Sequence, residues 1–199
     1  MITAALTGNF GMGKSSVLRL FEACGALTLD SDRIVAGLLE QPEVIEKVSE
    51  ALGSGVTDAG GRLMKKVVAE KIFNDPELKR KLEDILHPLV FDRIDAFVRD
   101  PGHADRLLIV EVPLLFETGS AARFDRTITV HTTPAEAEKR LLQKGVRAEE
   151  ARARLLTQMP IAEKIRLADY AIDNNGSQED TKKQVEALYR LLVSGSRTS

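Results

Sequence analysis

Cysteine occurs once in the 199 residues, as Cys24, tryptophan not at all and tyrosine only twice. A lone cysteine permits no intramolecular disulfide and no cysteine-based metal cluster, which points to a reducing, cytoplasmic setting. No apolar run approaches the length of a membrane span, and the first residues carry neither a basic n-region nor a long apolar h-region, so no membrane partner and no secretory signal are expected. Neither sign of charge dominates: 28 Lys and Arg stand against 30 Asp and Glu, for a net charge of −2. That balance gives no general attraction to nucleic acid, and seven Phe with two Tyr make a poor surface for stacking bases. His103 and His131 have no metal-ligand spacing with anything nearby, and no asparagine is followed by lysine, so the Asn-Lys-x-Asp signature of guanine switches is missing. What is present is 43% apolar content, enough for the core of one domain with room for a subdomain.

Residues 8–15 read Gly-Asn-Phe-Gly-Met-Gly-Lys-Ser, a complete G-x-x-x-x-G-K-S phosphate loop between the apolar run Ile2–Leu6 and a helical pattern over 16–21. A strand–loop–helix turn answers a polyphosphate with inward backbone N–H groups, the positive end of a helix and one lysine. Gly8, Gly11 and Gly13 let the backbone come close. Lys14 reaches the β- and γ-phosphates, Ser15 joins the coordination of Mg²⁺, and Met12 and Ser16 complete the ATP-binding turn.

Beyond the loop, strand-like and helical segments alternate, which predicts an α/β domain with a mainly parallel sheet. Residues 26–29 read as a second strand ending at Asp30-Ser31-Asp32, 107–112 as a strand buried on both faces, 127–130 and 170–172 as further strands. From 43 to about 99 the strand signal disappears. Helical patterns cover 44–52, 63–73, 78–86 and 89–98, with breaks at Gly53–Gly55, Asp58–Gly61, Asn74-Asp75-Pro76 and His87-Pro88. Thr133-Pro134-Ala135-Glu136 opens another helix with an N-cap threonine. Helical segments then run to about Gln143 and over 148–158. Residues 138–168 hold eight basic residues against four acidic. A last helix carries Val185, Leu188, Leu191 and Leu192, and 194–199 reads as a frayed tail. The division expected is a core of 1–42, 103–137 and 168–194, a helical insert of 43–102 and a lid of 138–167.

Phosphoryl transfer to a hydroxyl needs a base for the acceptor, a bridging metal and cations over the developing charge. Asp30 and Asp32 end a strand, where ligands of parallel sheets bind; one could accept the hydroxyl proton while the other supports Mg²⁺, the alternative being that they cap the next helix. Glu111, at another strand end, is a further metal candidate or an ordinary rim carboxylate. Arg140, Lys144, Arg147 and Arg154 suit a lid closing over ATP, or a solvated basic face. Asp58-x-x-Gly61 superficially matches a switch motif but reads as a turn.

These motifs, in order, resemble the dephospho-coenzyme A kinase family: Leu6-Thr7-Gly8 into the phosphate loop, Asp30-Ser31-Asp32, Ile72-Phe73-Asn74-Asp75, Leu86-His87-Pro88-Leu89, Val112 through Glu117, Arg140-Leu141, Arg154 with Gln158, Glu163-Lys164 and Ala168-Asp169-Tyr170. The resemblance implies a three-layer P-loop kinase fold with a helical acceptor-binding insert and a small lid. It also implies Mg²⁺-dependent transfer of the γ-phosphoryl of ATP to the ribose 3′-hydroxyl of dephospho-CoA. It makes Asp32 the catalytic base, aided by Lys14 and Arg140, assigns Asp30, His87, Pro113, Leu114, Leu115 and Glu117 to the acceptor, and sets Asn174 and Gly176 near the adenine. Asn9 and Met12 stand where the family has small residues, Ser16 where it has threonine, and Met64-Lys65 where it often has Asp-Arg. The partners expected are ATP and dephospho-CoA, and a monomer is favoured. Two other readings stay open: a P-loop kinase for another nucleoside or small metabolite, and a non-catalytic ATP-binding switch module.

Overall fold

The computed structural model describes residues 1–195, apart from the side chains of Ala148, Glu150, Arg152, Arg154 and Gly195. Of the frayed tail expected over 194–199, residues 194 and 195 are instead the end of a helix, and 196–199 lie outside the described residues. Two compact units are present, Met1–Asp30 with Pro101–Ser199, and Ser31–Asp100.

The first unit is built on five parallel strands in the order β2-β3-β1-β4-β5. These are β1 (Ile2–Thr7), β2 (Leu27–Asp30), β3 (Leu107–Glu111), β4 (Arg126–His131) and β5 (Tyr170–Asp173). Every residue of β3 is buried, as its continuous apolar run requires of a strand covered on both faces. Helix α1 (Lys14–Ala23) packs on α9 (Gln178–Gly195). Phe21 and Val17 of α1 join Val185 and Leu188 of α9 in one cluster with Ile109, Ile128 and Ile172 from the sheet. Between β4 and β5 run α6 (Pro134–Gln143), α7 (Ala148–Leu156) and α8 (Ile161–Leu167). Thr133 caps α6 as read, its Oγ1 accepting the Glu136 N–H at 3.3 Å.

The second unit is helical: α2 (Ser31–Leu38), α3 (Pro42–Leu52), α4 (Lys65–Asn74) and α5 (Pro76–Arg99). Both α2 and α3 pack on α5, which gives this unit α2 in addition to the segment from 43 onward. Asp58 accepts the Gly60 and Arg62 N–H groups, so Asp58–Gly61 is the turn its sequence suggests. The break expected at His87-Pro88 does not occur. Helix α5 runs for 24 residues through Pro88. Proline at that position costs about 3 kcal/mol in a helix interior, through the missing N–H and a clash with the preceding turn. Leu82, Leu86, Val90 and Ile94 are buried at a spacing of four on both sides of Pro88, so one continuous apolar stripe holds the helix together across it.

Candidate active site

The carboxyl edge of the sheet gathers the chemistry. β1 delivers Gly8, the loop turns, and α1 begins at Lys14. Gly13 occupies the N-cap of α1 at φ 91°, the left-handed region, and a Cβ there would run into the Asn174 amide. Gly8 sits at φ 145°, and a Cβ there would strike the Val130 carbonyl oxygen. Both positions therefore require glycine. No side chain caps α1 and no acidic residue lies in its first turn, so its N–H groups and positive dipole end could receive an anion.

Lys14 is buried, its Nζ 3.4 Å from the Asn9 carbonyl. Ser15 is exposed and its Oγ lies 3.5 Å from Glu111 Oε1. Glu111, itself buried, stands in register with Leu6 on one side and Asp30 on the other. Adjacent strands are about 4.8 Å apart, so the Asp30 and Glu111 backbones are immediate neighbours at one edge. Ser15, Glu111 and Asp30 offer hard oxygen atoms, of the kind that could hold Mg²⁺. Among the described residues no three His, Cys, Asp or Glu group to hold a metal by themselves.

Arg140, in the last turn of α6, donates from Nε to Glu136 Oε1 at 3.1 Å and from Nη2 to the Asn174 carbonyl at 2.9 Å. Asn174 in turn donates from Nδ2 to the Met12 carbonyl at 3.0 Å and accepts the Thr181 hydroxyl at 2.9 Å. The loop after β5 is thereby pinned to the phosphate loop through backbone. Gly176 lies within that loop, which ends at Ser177 before α9, and Ser16 donates its N–H to the Gly13 carbonyl at 3.0 Å. Lys144 and Arg147 are exposed, and the side chain of Arg154 lies outside the described residues.

After β3, Pro113 and Leu114 are half-buried and Leu115 is fully buried, so Leu115 forms the floor of its turn. Glu117 Oε1 lies 2.8 Å from Lys164 Nζ and accepts the Met159 N–H at 2.9 Å. Burial holds the Lys164 ammonium below the usual lysine range, opposed by its hydrogen bond and charge pairing with Glu117. Asp32 and His87 belong to the other unit: Asp32 is exposed in the first turn of α2, two residues past the end of β2, and His87 is half-buried midway along α5.

A family model described as dephospho-CoA kinase matches residues 2–180. The chain belongs to the dephospho-CoA kinase family. A dephospho-CoA kinase of Aquifex aeolicus is 37% identical over 189 residues, 94% of this chain and 96% of that protein. The dephospho-CoA kinase structure from Campylobacter jejuni superposes with a TM-score of 0.72 at 25% identity, covering 98% of both chains. A crystal structure of a Thermus thermophilus protein gives a TM-score of 0.83 at 33% identity, over 96% of this chain and 97% of that one. The fold is thus that of the P-loop kinases, as the phosphate loop and parallel sheet suggested.

Within this dephospho-CoA kinase fold, sequence reasoning gave Gln158 and Lys164 only as family motif residues inside the expected lid, with no contact or role of their own, and did not single out Thr181. A signal for Lys164 existed. Ile161, Lys164, Ile165 and Ala168 follow the spacing of one apolar helix face, and a lysine on such a face is buried only when it has a partner.

Proposed function

We propose that this chain carries out the dephospho-CoA kinase reaction with its phosphate-loop, strand-end and helix-start residues in distinct roles. The reaction is that of its family: the γ-phosphoryl of ATP passes to the ribose 3′-hydroxyl of dephospho-CoA, giving CoA and ADP, the last step of coenzyme A synthesis. A bond forms between the 3′-oxygen and the γ-phosphorus while the bond from that phosphorus to the β,γ-bridging oxygen breaks. The hydroxyl proton leaves to the carboxylate of Asp32, and from there to solvent.

The phosphate loop carries this reading, because its lysine and uncapped helix start form a receptor for a polyphosphate anion. Gly8, Gly11 and Gly13 admit the phosphates, while Lys14 and Arg140 bear on the charge that spreads over the transferring group. Asn174 and Gly176 border the nucleotide. Mg²⁺ would be held by Ser15, with Glu111 and Asp30 behind it; when bound it neutralises charge on the β- and γ-phosphate oxygens. Asp32 is supported as the base by its exposure and by its position just after a strand end. Pro113 and Leu114, which follow β3, and His87 of α5 are assigned to the acceptor. Residues 43–102 and 138–167 take the roles of acceptor-binding insert and lid. The reaction belongs to the cytoplasm, where a lone thiol stays reduced.

The test is incubation of the purified chain with ATP, Mg²⁺ and dephospho-CoA, with products identified by mass spectrometry and a control lacking the acceptor. CoA and ADP in equal amounts are expected. ADP without CoA would transfer the chain to another acceptor, and ATP binding without turnover would make it a switch module.

A further inference from the structure

Lys164 is fully buried, and the chemistry of phosphoryl transfer described above makes no use of it. Its ammonium is shared between Glu117 Oε1 at 2.8 Å and the Pro113 carbonyl at 2.9 Å. Apolar residues of similar volume commonly serve a core as well as a buried ion pair does, so the pair is best understood through what it holds in place. It holds the segment between α7 and α8. Glu117 Oε1 accepts the Met159 N–H at 2.9 Å, and beside that fixed point the segment accepts two hydrogen bonds donated by the phosphate loop. Gln158 Oε1 accepts the Phe10 N–H at 2.8 Å, and the Met159 carbonyl accepts from Asn9 Nδ2 at 3.1 Å. Thr7, where β1 enters the loop, donates to the same Pro113 carbonyl that Lys164 uses, at 3.2 Å. Loop entrance, loop and lid-side segment thus converge on one buried charge pair.

We propose that Gln158, Glu117 and Lys164 are positioning residues that hold the phosphate loop in its nucleotide-accepting shape and so set the affinity for ATP, leaving the chemical step to the residues named above. A glycine-rich loop has many accessible backbone conformations. A ligand that binds only one of them has its affinity reduced by the fraction of molecules in that one. The clamp raises that fraction at two consecutive residues. One strand of it, from Gln158 to a backbone N–H, is independent of the side chain at position 10; the other needs the amide of Asn9, which stands where a small residue is usual. Glu117 thereby moves from the acceptor side, where the family resemblance put it, to the nucleotide side. The proposal rests on the reading of the loop as an ATP site.

Three variants test it: Gln158→Met, which keeps the volume and loses the acceptor oxygen, Glu117→Leu, and Glu117→Gln, which keeps an acceptor for the Met159 N–H. ATP Kd is measured by titration calorimetry without acceptor, and KM and kcat for both substrates by coupled assay. For Gln158→Met and Glu117→Leu, ATP Kd and KM are expected to rise about tenfold, the effect of one unmade hydrogen bond to a buried group, while kcat stays within about threefold. Glu117→Gln should recover most of the ATP affinity, and KM for dephospho-CoA should not move. A rise in dephospho-CoA KM for Glu117→Gln at unchanged ATP Kd would make Glu117 an acceptor contact and overturn the proposal. A fall in kcat with both KM values and ATP Kd unchanged would reduce the network to a folding role, also overturning it. Gln158→Met decides the matter even where Glu117→Leu fails to fold. Because calorimetry needs no turnover, a chain that binds ATP but makes no CoA would refute the kinase reading and leave the clamp standing.

Discussion

The two compact units bury different things. Among the described residues, Thr7, Asn9, Lys14, Glu111, Ser120, Thr127, Thr129, Thr132, Lys164 and Thr181 are buried polar residues of the sheet unit, whereas Ser31–Asp100 buries Ser31 and the hydroxyl of Ser49 besides apolar side chains. Parallel strands end in a row of backbone groups that no further strand completes, and side chains must answer them. Asp169 accepts both the N–H and the hydroxyl of Thr127, Asp125 both those of Thr3, and Asn175 Oδ1 the Thr133 N–H at 2.6 Å. Helices satisfy their own backbones, so the second unit can be held by volume alone. A fold that must present ordered polar atoms to a charged ligand places them at the edge of a sheet and leaves its helical unit to packing.

The sharpest challenge to that contrast is Asp32, a chemically decisive group proposed for the unit that otherwise depends on packing. Asp32→Asn is expected to lower kcat by about 10²–10⁴-fold, the usual range for a lost general base, with ATP Kd unchanged by calorimetry. Near-normal turnover would confine the chemistry to the sheet unit. Next in size, Leu82→Ala in α5 should cost about 2–5 kcal/mol in urea denaturation and Leu82→Met less than about 1.5 kcal/mol. Equal losses from the two would show that shape, and not volume, governs this unit. In the sheet unit, Thr181→Val preserves volume yet strips Asn174 Oδ1 of its donor, an expected loss of about 1–3 kcal/mol that would be absent if polar networks there were incidental.

The smallest effect concerns pH. Asp180 accepts the Ser177 hydroxyl at 2.7 Å and the Ser177 N–H at 3.2 Å, which holds its carboxyl below the ordinary value of 3.8. A carboxyl more acidic in the folded state adds stability that is complete above the unfolded value and is lost as pH falls through the folded one. Denaturation curves at pH 7 and pH 3 should therefore differ less for Asp180→Ala than for the parent chain, and an unchanged difference would refute this assignment.

What was legible in the sequence was local. The phosphate loop announced itself through glycine spacing, β3 through its apolar run, and α6 through Thr133 and Pro134, because in each the deciding residues lie within a few positions of one another. What local pattern did not show was decided at a distance. Pro88 looked like a helix end, but the stripe from Leu82 to Ile94 and its packing on α2 and α3 overrode it. Asn174 was expected beside the adenine on resemblance; its bond to the Met12 carbonyl spans 162 positions and follows no local pattern. Lys164 and Glu117 are 47 residues apart in the chain, and only the folded sheet brings them together.

The bare start of α1 has a consequence beyond recognition. A helix can carry its own N-terminal cap, as Asp75 caps α5 and Thr133 caps α6, and such a cap is worth about 0.5–2 kcal/mol; here Gly13 has no side chain to supply one, and bound phosphates would complete the helix in its stead. The substrate is then also a folding ligand. At a concentration a hundred times its Kd it would add about 2.7 kcal/mol to the stability of the chain, so melting temperature should track nucleotide supply, and a starved cell would hold this enzyme not merely idle but nearer to its proteases.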